Sequence, residues 1–400
     1  MPTAYVCGTF DTKGPELGFM ADRLRDVGLA TCTVDLSTRA HAGVTDISAA
    51  EVAAHHPQGV TAVLGGDDRG AAIAAMVIAF ERFILTRGEI AGIVGAGGSG
   101  GTALLAPAMR ALPVGVPKLI VSTVASGNVA AYVGASDIGM MPSVTDVQGL
   151  NRISRRILAN AAHALAGMIQ FAVPAEAADT RPAIGLTMFG VTTACVRQVM
   201  AELEATHDCL VFHAVGTGGR AMEKLIASGL LQGAIDVTTT ELCDMFMGGI
   251  FPADETRFDA IIAMRIPYVV SCGALDMVNF GAMETVPAHY RGRSLYAHNP
   301  QVTLMRTTAD ECRRMAVWMA AKLNRMEGPV RLLIPQGGVS ALDLPGQPFH
   351  DPAADAALFE TLAAQIVQTT SRRIVRIPCD INAPAFAAAL AAAYREIASR

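Results

Sequence analysis

Aromatic side chains are scarce, at 5% of 400 residues, so Ala, Val, Leu, Ile and Met must build the interior. That palette suits buried parallel strands beneath Ala-rich helices. Neither sign of charge is in large excess: 31 basic residues face 36 acidic ones for a net charge of -5, and no long cationic run stands out. Nucleic acid is therefore not an expected partner. Eight cysteines are scattered as Cys7, Cys32, Cys195, Cys209, Cys243, Cys272, Cys312 and Cys379, with no C-x-x-C pair or other metal-ligand spacing. Reduced, mostly buried thiols are expected. No apolar stretch reaches membrane-spanning length before Gly, Pro or charge interrupts it, and MPTAYVCGTFDTKGPE lacks the charged-then-apolar order of a signal peptide. The expectation is a cytoplasmic chain with no membrane partner.

What is present is 52% apolar residues and 38 glycines on a length that exceeds one ordinary core, which predicts two domains. Short apolar runs ending in Gly, Asp, Thr or Ser alternate with helical patterns, the grammar of βα units and a parallel sheet. Strands are predicted at Ala4 to Cys7, Ala30 to Asp35, Ala62 to Leu64, Ile90 to Val94 and Lys118 to Val121, with helices at Glu16 to Val27 and Ala71 to Arg87. A long helix over Thr145 to Phe171 leads into AVPAEAADTRPA, whose Ala, Pro and charge read as a linker. The boundary is placed there, giving domains 1–180 and 181–400. The second half restarts with a strand at Ala183 to Thr187, a helix at Ala194 to Glu204 and a strand at Cys209 to Ala214, and the chain closes on an Ala-rich helix, Ala383 to Ser399. GTGGRAMEKLIASG in the second half resembles GGSGGTALLAPAMR in the first, so an internal duplication is one reading and convergence of βα units the other. The fold class is α/β, with two Rossmann-like, doubly wound parallel sheets.

Several loops have the composition of ligand sites. GTFDTK, Gly8 to Lys13, follows the first strand and opens the first helix, where backbone N–H groups and the helix dipole favour an anion. Asp11 and Thr12 also suit a helix cap, while Lys13 adds a cation. Asp35 closes the second strand at the place where an acid meets a ribose hydroxyl in dinucleotide folds, although the glycines do not form G-x-G-x-x-G. GAGGSGGT, Gly95 to Thr102, lets backbone amides approach a phosphate closely, or else serves tight helix–strand packing. It lacks the Lys of a Walker loop, so Lys13 or Lys118 would have to serve from elsewhere. GGDDRG, with Gly66, offers Asp67 and Asp68 as water-mediated Mg²⁺ ligands or as solvated carboxylates at a helix start.

In the second half, FHAVGTGGRAME places His213 before a glycine loop with Arg220 and Glu223 behind it, another candidate anion cradle. Glu241 and Asp244 lie one helical turn apart, fit for acid/base or metal chemistry, while Thr238 and Glu241 equally fit a capping box. SCGALDMVNFG adds Asp276 and Asn279, and AHNPQVTLMRTT adds His298, Asn299 and Arg306. PQGGVSALDLPG carries Ser340 and Asp343 but is not the G-x-S-x-G elbow, so Ser340 is not read as a nucleophile.

Together GTFDTKGPE, GAGGSGGTAL, SDIGMMPSVTDVQGLNRIS, MFGVTTACV, FHAVGTGGRAMEKL, DVTTTEL, SCGALDMVNFG, HNPQVTLMRTT and IPQGGVSALDLPGQPFHDP resemble the Tm-1-like ATP-binding domain family. This is a bacterial and fungal family related to the ATP-binding, inhibitory amino-terminal domain of a tomato mosaic virus resistance protein. The resemblance implies two Rossmann-like domains, a homodimer, and Mg–ATP bound mainly by the amino-terminal domain. By the same resemblance Gly8, Thr9, Asp11, Thr12 and Lys13 line the nucleotide, Gly97, Gly98, Ser99, Gly100, Gly101 and Thr102 cradle phosphate, and Asp67 lies nearby. The plant protein's further barrel domain is missing here, so viral inhibition is not carried over. The functional expectation is a Mg–ATP-binding protein, extended to an ATP-dependent enzyme whose small acidic or hydroxylated metabolite is bound between the domains near His213, Glu241, Asp244 and Asp276. The alternatives are a nucleotide-sensing dimer that binds a protein partner, and a metal-assisted lyase or isomerase.

Overall fold

A computed structural model describes residues 3–39, 41, 43–66, 68–88, 90–173 and 180–399. The chain forms two compact units, Met1–Ala178 and Asp179–Arg400.

The first unit holds a five-stranded, wholly parallel sheet made of β1 (Thr3–Gly8), β2 (Thr31–Asp35), β3 (Ile90–Gly97), β4 (Lys118–Ser122) and β5 (Gly139–Pro142), in the order β2-β1-β3-β4-β5. Successive residues of the central strands feed opposite faces. Ile93 and Ile120 pack with Phe80, Phe83 and Leu104, whereas Val94, Leu119 and Val121 pack with Leu17, Met20, Leu158 and Leu165. Helices Arg69–Leu85 and Ser99–Ala111 therefore cover one face and Phe10–Asp26 and Arg152–Gln170 the other. This is the doubly wound arrangement, and its strand order reverses between β1 and β3.

The second unit repeats the plan. Its six-stranded parallel sheet comprises β6 (Ala183–Met188), β7 (Asp208–His213), β8 (Gly233–Thr238), β9 (Tyr268–Gly273), and, beyond a small antiparallel sheet of β10 (Met277–Phe280), β11 (Leu295–Asn299) and β12 (Val302–Arg306), β13 (Val330–Pro335) and β14 (Arg372–Ile377). The order β7-β6-β8-β9-β13-β14 begins as the first sheet does, with the second strand outside the first and the third on its other side. The Ala-rich helix Pro384–Ala398 packs Phe386, Leu390 and Tyr394 into the same core as Ile184, Ile235 and Leu333 of the sheet.

Three local expectations fail. Ala62 to Leu64 is not a strand but part of a helical turn, Thr61–Leu64, in which Leu64 N–H reaches Val60 O at 2.9 Å. A three-residue apolar run carries no period that separates helix from strand. The long helix begins at Arg152 rather than Thr145, because the Asn151 side chain accepts the amides of Ile153 at 2.8 Å and Ser154 at 2.9 Å. Finally, the two resembling glycine loops are not topological counterparts: GGSGG follows the third strand of its sheet, whereas GTGGR follows the second strand of the other.

Candidate functional site

The switch point of the first sheet is where its chemistry collects. The loops leaving β1 and β3 open a cleft of about 340 Å³ lined by Thr9, Asp11, Thr12 and Lys13 on one side and Gly97 through Gly101 on the other. Gly98 caps the helix Ser99–Ala111 and carries no side chain to satisfy its first amides, so that helix end presents unmatched N–H donors and the positive end of its dipole. An added Cβ at Gly100 meets nothing within 4 Å, and one at Gly98 comes no closer than 3.6 Å, to Thr123 Oγ1. Both backbone positions are thus open to a ligand. Gly97 is different, because its Cβ would lie 3.2 Å from Gly101 Cα, so here glycine serves close packing of the loop on itself.

The opposite wall is equally well defined. Lys13 leaves helical geometry at φ -126° and ψ 18°, with its N–H on Thr9 O at 2.8 Å and its Nζ on Gln148 Oε1 at 3.1 Å. Thr9 and Thr12 hydroxyls lie 2.9 Å apart, and Asp11 N–H donates to Ser37 Oγ at 2.9 Å. Asp35 is buried and committed: Oδ1 accepts Phe10 N–H at 3.2 Å and Ser37 N–H at 2.9 Å, while Oδ2 meets His41 Nε2 at 2.6 Å. It ties the β1 and β2 loops together rather than facing the cleft. Thr102 is also fully buried, with its hydroxyl 2.8 Å from Gly98 O and 2.6 Å from Ser122 Oγ, so it braces the glycine loop from behind. Gly8 and Gly66 do not line the cleft. Asp67 lies outside the described residues, and Asp68 caps the next helix by accepting Gly70 N–H at 2.8 Å.

Sequence reasoning missed four polar side chains on this cleft, Thr38, Arg39, Arg69 and Asp146, and the apolar Ile73 and Leu104. Arg69 stood inside GGDDRG without a local signal, and Asp146 arrives on a loop expected to be helix. That loop carries Val144 at φ +65°, a β-branched residue in the left-handed region, which is the kind of backbone strain that gathers at functional sites. Lys118, a candidate phosphate cation, is excluded. It starts β4 at the amino end, buried, with Nζ on Pro113 O at 2.7 Å, Val116 O at 2.8 Å and Asp137 Oδ1 at 2.7 Å. Lys13, Arg39 and Arg69 are the cations that line the cleft, against the carboxylates of Asp11 and Asp146. Among the described residues no group of three His, Cys, Asp or Glu forms a metal site. A magnesium ion that arrives with phosphates needs only one or two protein carboxylates, which Asp11 and Asp146 fit.

The residues expected to carry chemistry in the second unit are brought to separate places. Glu241 begins a helix, Glu241–Met247, yet its carboxylate turns back: Oε1 accepts Gly216 N–H at 2.7 Å and Gly219 N–H at 3.0 Å, and Oε2 receives Arg257 Nε at 3.2 Å. The glycine loop read as an anion cradle is thus filled from within. Arg257, buried itself, also pairs Glu223 at 2.9 Å and Asp236 at 2.6 Å, and Tyr268 donates to Asp236 at 2.6 Å. The capping box is not formed, since Thr238 hydrogen-bonds Thr192 at 2.7 Å and the helix cap is Thr240.

Asp244 points elsewhere, accepting Asn279 N–H at 2.7 Å and Phe251 N–H at 2.8 Å. Burial pushes its carboxyl up to about 7, against the pull of those hydrogen bonds. Asp276 accepts from Ser340 Oγ at 2.7 Å, has no partner for Oδ1 among the described residues, and is raised to about 6 by burial. His213 ends β7 exposed, stacked on Phe189 with ring centroids 5.4 Å apart. His298 and Asn299 are exposed on β11, while Arg306 is buried.

Known proteins match the whole chain. A family model described as the uncharacterised protein family (UPF0261) N-terminal domain matches residues 2–174, and the C-terminal domain model matches 181–398. A UPF0261 protein of Rhizobium meliloti is 58% identical over 399 residues, covering 100% of both chains. One of Clostridium tetani is 44% identical over 391 residues, covering 96% of each. The ToMV resistance protein Tm-1 of Solanum lycopersicum is 40% identical over 423 residues, covering 100% of this chain and 56% of that protein. Among the described residues no helix is long and apolar enough to cross a membrane.

Proposed function

The chain belongs to the uncharacterised protein family UPF0261, and from that premise and the first unit's geometry we propose that it binds a magnesium nucleotide, ATP, in the cleft between the β1 and β3 loops. The observation that carries this reading is the meeting, at a topological switch point, of an uncapped helix end, open glycines and three cationic side chains. A polyphosphate supplies the matching charge and the acceptors for those amides. Gly98 to Gly101 would hold the phosphates, with Lys13, Arg39 and Arg69 supplying the counter-charge. Asp11 and Asp146 are the groups that would hold magnesium, whose charge offsets that of the phosphates.

An enzyme acting on a small acidic or hydroxylated metabolite is the fuller form of this reading. In that form His213, Glu241, Asp244 and Asp276 do not act as one constellation, because Glu241 and Asp244 are buried and committed to different partners. Thermal unfolding with and without Mg–ATP tests the binding step. A ligand at about a hundred times its dissociation constant stabilises the native state by ~2.7 kcal/mol. The wild-type protein is expected to show an upward shift in Tm that Lys13→Ala reduces; equal shifts in both proteins would remove Lys13 from the site.

A further inference from the structure

One of the two longest motifs of the chain, IPQGGVSALDLPGQPFHDP, has no part in the nucleotide reading. In the structure it builds a cavity of about 330 Å³ at the carboxyl ends of β13 and β14, lined among others by Gln336, His350, Asp355, Glu360 and Arg376. This is the end of a parallel sheet at which open α/β folds bind ligands, and the volume is within the range of small-molecule pockets.

The loop is held rigidly for the purpose. Gly338 sits at φ +127°, where a Cβ would collide with Asp343 O, and a Cβ on Gly337 would come within 2.6 Å of Asp380 N. Asp343 Oδ2 accepts Val339 N–H at 2.9 Å. Behind the cavity Arg306 serves three carboxyl groups. Its guanidinium meets Asp355 at 2.8 Å and Asp343 at 3.4 Å, and the charge of Asp276 also bears on it. One cation against three buried acids leaves an excess of acid. Burial raises Asp355 to about 7, and the neighbouring charge of Asp343 adds to the rise. Asp355 is therefore a carboxyl on the cavity wall that can hold a proton and donate it in a hydrogen bond.

The remaining polar side chains are uncommitted. Gln336, His350, Glu360 and Arg376 are exposed and make no side-chain hydrogen bond or ion pair among the described residues. The adjoining helix Pro352–Gln365 offers no anion hole, because Asp351 already accepts Ala353 N–H at 3.1 Å and Ala354 N–H at 3.0 Å. A single guanidinium without helix amides suits a carboxylate, taken in bidentate fashion, better than a phosphate dianion set beside two acids.

We propose that this cavity is the metabolite site of the second unit and takes a small hydroxylated carboxylate, with Arg376 pairing its carboxylate and Asp355, Glu360 and Gln336 hydrogen-bonding its hydroxyls. The assignment rests on the enzyme reading above for its place in a reaction, but its test uses no nucleotide, so either can fail without the other. Tartrate, glycerate, glycerol and 3-phosphoglycerate are titrated separately into the full chain while the His350 ring Cε1–H signal is followed, identified by its loss in His350→Gln. Tartrate and glycerate are expected to shift the signal saturably, and Arg376→Gln, at an exposed position and with unchanged Tm, weakens them at least tenfold. Asp355→Asn, which removes the acid from the wall, weakens them as well. No shift with either hydroxy acid, equal affinity in Arg376→Gln, or preference for glycerol or 3-phosphoglycerate would overturn the assignment.

Discussion

Glu241 Oε1 lies 2.7 Å from Gly216 N and closes, with its own carboxylate, a glycine loop that the sequence offers to a ligand. A Cβ on Gly219 would collide with the same carboxylate, so the loop's glycine is explained by an internal occupant. The carboxylate serves here as a structural anion, clamped by Arg257 Nε at 3.2 Å.

Removing that anion has a definite cost. Glu241→Ala leaves two buried amides and part of Arg257 unmatched, and breaking a buried ionic contact of this kind costs about 3–5 kcal/mol. Urea unfolding is expected to show that loss, with inorganic phosphate or acetate recovering more stability in the variant than in the wild type. A variant as stable as the wild type would mean that the contact contributes nothing.

Asp244 gives the second unit a pH dependence of known sign. Its folded-state carboxyl is raised from 3.8 to about 7, so the unfolded chain releases this proton first as pH rises. The resulting penalty is absent below about pH 4, grows through the interval and is complete above about pH 7, amounting to ~4 kcal/mol at most. Asp244→Asn removes it. The stability of the wild type relative to this variant is expected to fall as pH goes from 4 to 7, and a flat difference across that window would refute the assignment.

Val144 stores strain on an exposed loop beside Asp146. Val144→Gly adopts φ +65° without steric cost, and since the side chain is 75% exposed little packing is lost. A gain on the order of 1 kcal/mol in chemical unfolding is expected, net of the added freedom of glycine in the unfolded chain. Destabilisation would show that the valine makes contacts of greater worth than its strain.

Much of the architecture was legible because buried parallel strands read as short apolar runs and their loops as glycine and hydroxyl clusters. GAGGSGGT announced the helix end that lines the cleft, and GTFDTK the opposite wall, since both signals are local. Arg39, Arg69 and Asp146 were not legible, because an exposed Arg or Asp on a loop or at a helix start has no pattern until the sheet brings distant loops together. The pair Glu241 and Asp244 misled for a related reason. Their spacing puts both on one helix face, but a residue at the first helical position can reach back across the end of another helix, and Glu241 does. Lys118 was read by charge alone, whereas its strand end decides that it lies away from the cleft.

The central claim is most directly tested by isothermal titration of the 400-residue chain with Mg–ATP, repeated on Gly98→Val. The Gly98 backbone is extended and its Cβ direction is open to within 3.6 Å of Thr123 Oγ1, so valine there fits the fold while placing a branched side chain on the loop proposed to hold the phosphates. Saturable binding by the wild type, lost in the variant at unchanged Tm, is the predicted result; no heat in the wild type, or the same affinity in both, would contradict a nucleotide in this cleft.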